Sequence, residues 1–262
     1  MDPLKHQINC CTERKLLIDI GNTNLKWCWL EGGKRTSLQY MPHRREALPN
    51  LAQRCWADSK RPEAVFIANV AAPALNHHID RWMRHNWMLT PSFLVSEADS
   101  FGVQNAYGRP EQLGVDRWLT LVAVHNQYPG PACIVDSGTA ITIDVIREEG
   151  QHLGGVILPG FELMRGALLE NTHIPRVQSI QGTLNILGKD TESAVASACL
   201  NAAAALVERV FNTATEMIGK CPDVFMTGSD AVLLQSALTI PTKLQPELVM
   251  LGLSVVATRK DK

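Results

Sequence analysis

Short apolar stretches rich in β-branched residues alternate along the chain with amphipathic stretches of helical period, which is the pattern of a mixed α/β protein. Strands are predicted at 15–20, 25–31 and 35–41, then at 65–70 and 93–95. Between them, 46–59 reads as a helix with Leu48, Leu51, Ala52, Cys55 and Trp56 on one face. Pro73 opens a second helix, in which Leu75, Ile79, Trp82 and Met83 recur at helical spacing. Pro110 begins a third, carrying Leu113, Trp118, Leu121, Val122 and His125, with Asp116 and Arg117 near its first turns. Further strands fall within 132–157, followed by a helix at 161–170. A segment at 176–187 leads to Gly188-Lys189-Asp190-Thr191, which reads as the cap of a long Ala-rich helix at 192–218. A strand and loop at 224–229 and helices at 230–238 and 247–258 complete the chain. Trp27, Trp29 and Trp118 are expected in the core.

Two stretches repeat one another. Leu17-Ile18-Asp19-Ile20-Gly21-Asn22-Thr23-Asn24-Leu25-Lys26 carries an apolar strand into an acid-Gly turn and out again. Ile134-Val135-Asp136-Ser137-Gly138-Thr139-Ala140-Ile141-Thr142-Ile143-Asp144 does the same. Aligning Gly21 with Gly138 also aligns Gly33 with Gly150, each at the end of a Glu-Gly turn. The unit is therefore duplicated, and two lobes are expected, 15–128 and 129–262, after a flexible N-terminal extension at 1–14. Glycine lets each turn approach a ligand closely, and Thr23, Thr139 and Thr142 add hydroxyl groups. Such a loop suits a phosphate chain with its cation nearby.

Composition narrows the setting. Hydrophobic residues make up 45% of the 262 positions, ample for a core. A formal net charge of −1 supplies no field to recruit nucleic acid or an anionic membrane, and neither is expected as a partner. No apolar run is expected to span a bilayer, and residues 1–15 lack the apolar core of a signal peptide. The seven cysteines include no Cys-x-x-Cys pair; Cys28, Cys133 and Cys199 lie in apolar surroundings as packing thiols, and a reduced cytoplasm fits. His77, His78 and His85 are read as solvated helix positions, because no carboxylate or thiol at ligand spacing joins them.

The motifs together resemble one family. Asp19-Ile20-Gly21-Asn22-Thr23 with Lys26, Tyr107-Gly108-Arg109-Pro110-Glu111-Gln112-Leu113-Gly114-Val115-Asp116-Arg117, and 136–144 are similar, in order, to the motifs of type III pantothenate kinases. These are also called the Bvg accessory factor-like family, within the actin-like ATPase and sugar kinase superfamily. The resemblance runs from about Leu16 to Ala257. It implies a duplicated actin-like ATPase (ribonuclease H-like) α/β fold, two lobes with mixed sheets flanked by helices. It also implies ATP-dependent phosphorylation of pantothenate, the first step of coenzyme A biosynthesis, with ATP, Mg2+ and K+ or NH4+ required. By the same resemblance Asp19, Gly21, Asn22, Thr23, Lys26, Gly138 and Thr139 hold ATP, with Asp19 orienting magnesium through water. Asp136 takes the place of the monovalent-cation ligand, with magnesium as the competing assignment. Tyr107, Gly114, Val115, Asp116, Arg117 and Thr191 correspond to pantothenate contacts, Thr191 reaching a site formed between subunits, which implies a homodimer. Asp116 corresponds to the general base; by its position alone it is also a favourable helix-dipole partner worth about 0.3–1 kcal/mol. Arg117 is expected to meet the substrate carboxylate through a bidentate pair.

Two positions depart from the family pattern. Ser229 follows Thr227-Gly228 where a second glycine is usual, and a side chain there is expected to restrict the nucleotide loop. Ala198 and Ala202 stand where the long helix usually has glycines. A non-enzymatic regulator of the same fold, or a kinase for another polyol, would share the scaffold; the intact Asp19, Asp116, Arg117 and Asp136 argue for an enzyme.

Overall fold

A computed structural model describes residues 14–43, 50–174 and 186–259. The chain divides into two compact units, residues 1–94 with 257–262, and residues 95–256. The boundary expected at 128/129 is displaced to 94/95, because the segment after Leu94 builds onto the second sheet. The proposed extension at 1–14 lies outside the described residues except for Arg14, which already begins a strand.

In the first unit β1 (Arg14–Ile20) and β2 (Asn24–Glu31) form an antiparallel hairpin closing at Ile20 and Leu25. The strand expected at 35–41 is two pieces, β3 (Lys34–Arg35) and β4 (Gln39–Pro42), both paired with β2. The break follows Thr36, whose N–H and hydroxyl both bond the backbone of Trp29. β5 (Ala64–Asn69) runs parallel to β1, and β6 (Ser92–Phe93) parallel to β5, giving the order β3-β2-β1-β5-β6. Helices α1 (Leu51–Trp56) and α2 (Ala74–Trp87) cover one face. Leu48 and the start of the helix expected at 46–59 lie outside the described residues. Leu51, Trp56, Leu75, Ile79 and Met83 pack with Ile18 and Ile67 in a core where each large side chain contributes about 1.5–3 kcal/mol. Trp27 and Trp29 are core residues as expected, and Trp27 meets Trp56 edge-on at 6.0 Å. His77, His78 and His85 are exposed on α2.

The second unit begins with a small hairpin, β7 (Asp99–Ser100) and β8 (Val103–Gln104), and helix α3 (Val115–Gln127). Its sheet is built from β9 (Ala132–Ser137), β10 (Ala140–Ile146), β11 (His152–Pro159), β12 (Asp223–Thr227) and β13 (Lys243–Leu244). The order is β11-β10-β9-β12-β13, with the first three antiparallel and the last two parallel to β9. Third, second, first, fourth and fifth strands thus take the same places in both sheets, and the duplication read from the sequence is a duplication of topology. Helices α4 (Phe161–Asn171), α5 (Thr191–Ile218), α6 (Ala231–Gln235) and α7 (Leu248–Arg259) complete the unit, the end of α7 belonging to the first. Gly252 lets α7 cross α3 closely, since a Cβ there would sit 2.1 Å from the Leu119 carbonyl oxygen.

Helix α5 corrects the expectation that no apolar run could span a bilayer: by length and composition it qualifies. Its apolar face is taken up instead by the second core, where Val195, Cys199, Leu200, Ala203 and Val207 pack with Val135 and Ile143. Asp190 caps it, accepting from Ser193 N at 2.8 Å, while the Ser193 hydroxyl accepts from Asp190 N, a reciprocal capping box. The segment at 176–187 lies outside the described residues up to 185.

Candidate active site

In the first unit the turn after β1 is closed by Gly21 N donating to Asn24 O at 3.0 Å. Asp19, buried at 7% exposure, sits one residue before the strand end and opposite Lys26 in the hairpin register. Asn22 and Thr23 are exposed at the tip. The sequence reading overlooked His43, which is buried and clasps this turn twice. Its backbone N–H donates to Thr23 O at 3.0 Å and its ring Nε2–H to Gly21 O at 2.8 Å. A carbonyl can only accept, so the Nε2 proton is fixed by the contact.

The equivalent turn of the second unit joins β9 to β10 through Gly138 and Thr139, with Gly138 N donating to Ala140 O at 3.0 Å. Two glycines press against it. A Cβ on Gly160 would sit 2.1 Å from Gly138 O and 2.6 Å from Thr139 O; one on Gly228 would sit 2.5 Å from Asp136 Oδ1 and 2.2 Å from Ser137 O. Gly228 also has φ +96°, a conformation that favours glycine. Ser229 does not share it: its φ is not positive. Asp136 occupies the place of Asp19 one residue before its strand end, but its register partners are Thr142 and Thr227 rather than a lysine. Burial raises the carboxyl of neighbouring Asp230 above its ordinary value, with the Glu162 charge adding to this and a Ser229 hydrogen bond opposing it.

The 107–117 motif lies wholly in the second unit. Pro110 begins a 3-10 turn over Pro110–Gln112 rather than the helix; the chain extends through Leu113 and Gly114, and α3 starts at Val115. Leu113 anchors this link, buried at 2% exposure, with its carbonyl accepting from Ser96 Oγ at 2.8 Å. A Cβ on Gly114 would lie 2.6 Å from Asp116 Oδ1 and would displace that carboxylate. That space lets the Asp116 carboxylate fold back and accept from Arg117 N at 2.7 Å. Burial pushes the Asp116 carboxyl above its ordinary value; the Arg117 N–H and guanidinium oppose this, and the charge of Asp144 adds to it. Upstream, Asn105 shapes the loop as an Asx turn, its Oδ1 accepting from Tyr107 N at 3.0 Å.

Arg117 has a carboxylate partner inside the protein. Its Nε and Nη2 donate to the two oxygens of Asp144 at 2.7 and 2.6 Å, both residues being buried. The side-on Nε/Nη2 edge is thus taken up inside the protein. Nη1 remains, and it donates to Tyr107 OH at 3.1 Å. Burial works against the guanidinium charge, but Asp144 outweighs it and keeps Arg117 protonated. Asp144 Oδ1 is also 2.9 Å from His152 Nε2. Gly155, opposite Asp144 in the β10–β11 register, has no room for a Cβ, which would sit 2.3 Å from Asp144 Oδ1 and 2.6 Å from Arg117 Nη2. Thr191 stands apart from this cluster, exposed at the first position of α5. Neither His152 nor Asn105 was singled out from the sequence, and Asp144 was noted only as part of an alternating strand; an acid at a core-facing strand position was the available signal.

The chain was compared with known proteins. The type III pantothenate kinase family model matches residues 15–213. A type III pantothenate kinase from Nitrosococcus oceani is 35% identical over 253 residues, covering 94% of this chain and 95% of its own. Among solved structures, a Baf family protein from Campylobacter jejuni superposes with a TM-score of 0.60 at 20% identity, covering 94% of this chain and 100% of that one. An activator of 2-hydroxyisocaproyl-CoA dehydratase from Clostridium difficile, solved with bound ADPNP, gives a TM-score of 0.55 at 13% identity, covering 94% of this chain and 95% of that one. These two likenesses are likenesses of fold, that of the actin-like ATPases and sugar kinases. The match of sequence over nearly the whole length carries more, and by it the chain belongs to the type III pantothenate kinase family.

Proposed function

We propose that this protein transfers the γ-phosphoryl group of ATP to the primary hydroxyl of pantothenate, giving 4′-phosphopantothenate at the entry to coenzyme A synthesis. The observation that carries the reading is Asp116. Its carboxylate is positioned by Gly114 and the start of α3, next to Arg117, and its proton affinity is raised by burial. A carboxylate of raised pKa is a better proton acceptor for a substrate hydroxyl, while the remaining work is positioning and charge neutralisation. Gly21, Asn22, Thr23, Lys26, Gly138 and Thr139 are assigned to the ATP phosphates. Tyr107, Gly114, Val115, Arg117 and Thr191 are assigned to pantothenate.

The cations fit as partners of single carboxylates. Among the described residues no group of three or more His, Cys, Asp or Glu is arranged to hold a metal. Magnesium commonly takes only one or two carboxylates and completes its shell with water and substrate phosphates, which Asp19 allows. Asp136, with threonines rather than a lysine across the sheet and with Ser137 O beside it at the Gly228 backbone, suits a monovalent cation. When bound, these ions neutralise phosphate charge. A homodimer working in the cytoplasm completes the proposal. Exposed Val156, Ile157, Leu163 and Leu168 on β11 and α4 support the dimer, and buried Cys133 and Cys199 held as free thiols support a reduced compartment.

Purified protein incubated with ATP, Mg2+ and pantothenate should form phosphopantothenate, and exchanging K+ for a large organic cation at constant ionic strength should depress the rate. No product with pantothenate, but phosphorylation of another polyol, would reassign the substrate. No turnover of ATP with any acceptor would favour a regulatory role.

A further inference from the structure

His152 is completely enclosed, yet it makes polar contacts on both ring nitrogens. Ala106 N lies 3.4 Å from Nδ1, and Asp144 Oδ1 lies 2.9 Å from Nε2. A backbone N–H can only donate, so Nδ1 is the acceptor, and the proton sits on Nε2, which donates to Asp144. The imidazole is therefore neutral, in one tautomer. Its ring also lies parallel to that of Tyr107, at 6.2 Å between centroids and 11° between planes. His152 thus touches both ends of the Tyr107–Arg117 pair. It holds the Tyr107 loop through Ala106 and the ring stack, and it holds Asp144, which in turn fixes one edge of the guanidinium.

Tyr107 OH accepts from Arg117 Nη1, which leaves the phenolic proton to donate elsewhere. With Nε and one Nη2 hydrogen engaged on Asp144, this O–H and the second hydrogens of Nη1 and Nη2 are what the pair can offer an acid group. We infer that His152 is a positioning residue, which fixes Tyr107 and Arg117 in the geometry that recognises the substrate's carboxylate. The inference rests on the proposed assignment of Tyr107 and Arg117 to pantothenate. It sets a phenol and the outer end of the guanidinium toward the substrate, held from behind by a histidine and an aspartate. A hydrogen bond to a charged group held in this way is worth about a factor of ten or more in affinity.

The test compares pantothenate with pantothenol, in which an alcohol replaces the carboxylate. In His152→Ala, KM for pantothenate should rise about tenfold or more, while KM for ATP and for pantothenol should change less than about threefold. His152→Gln places an amide N–H where Nε2 stood and should recover most of the loss. His152→Asn mimics only the Nδ1 acceptor and should remain impaired. Equal losses on both acceptors, or Asn rescuing as well as Gln, would overturn the inference. If the alanine variant does not fold, the Gln and Asn pair decides. Nitrogen-15 imidazole NMR of the ligand-free protein reads the same arrangement without any substrate. A proton on Nε2 alone is expected, and one on Nδ1 would reject the arrangement. A wild-type protein inactive on pantothenate but with the Nε2 tautomer would sink the kinase reading and leave the His152 network standing.

Discussion

At the scale of single residues, Asp116 combines two effects that pull in opposite directions. Its carboxyl has a raised pKa, chiefly from burial, so the folded state favours the protonated form. The stability this confers is full below the ordinary value of 3.8 and is lost as pH rises through the higher folded value. At neutral pH the ionised side chain therefore weighs against folding, while it is the form a general base must take. Asp116→Asn should lose about a hundred- to ten-thousand-fold in turnover, yet melt no lower than the wild type at neutral pH, since the Asn oxygen can still accept from Arg117 N. ATP affinity should be preserved. Measuring turnover and melting temperature on the same variant checks both halves; near-normal turnover with a lowered melting temperature would mean that Asp116 only caps α3. In the wild type, kcat/KM should fall as pH drops through the raised pKa, and the asparagine variant should lose that limb of the profile.

Among the elements, the β10–β11 pair shows how a strand register creates a polar site. Gly155 faces Asp144, and the absent side chain is what admits the Arg117 guanidinium to a buried carboxylate. Gly155→Ala would place a methyl group 2.4 Å from the Ile143 carbonyl as well as against the ion pair. Overpacking of this kind typically costs about 1–3 kcal/mol, and disturbance of the buried pair adds to it. The variant should unfold at clearly lower denaturant and show a raised KM for pantothenate. Gly166 in α4 is the natural control, since a Cβ there meets nothing within 4 Å and its φ is ordinary. Gly166→Ala should leave stability unchanged or raise it by about 0.4–1 kcal/mol. Equal behaviour of the two variants would show that the close approach at Gly155 is not what the site depends on.

For the whole molecule, the open question is the second subunit. β11 is an edge strand of its sheet, and it carries Ile157 at 64% exposure beside Val156; α4 adds Leu163 at 51%. Exposed apolar edge strands are usually covered or paired. On α5, Ala198 and Ala202 lie one turn apart and are both exposed, an open face of small residues. Light scattering should report a dimer, and Ala202→Arg or Ile157→Lys should shift it toward monomer with a loss of pantothenate phosphorylation. A wild-type monomer with full activity would remove the dimer from the proposal.

The sequence alone determined the duplication, the order of the longer strands and helices, and the position of each acid-glycine turn, but not the two-residue strands β7, β8 and β13. Those are local properties, set by the alternation of apolar residues and by glycine's freedom to turn, and they survive as β1–β2 and β9–β10. It also located Asp116 and Arg117, because both belong to one continuous motif. What tertiary structure decided was which partner each charge takes. Arg117 faces Asp144 across 27 positions of chain, and His152 reaches Ala106 across 46. Residues so far apart leave no periodic trace of their pairing. The close approach that brings them together depends on Gly155, whose role is invisible until the opposite strand is in place. The unit boundary at 94/95 follows for the same reason, since α3 packs on the sheet that comes after it in the chain.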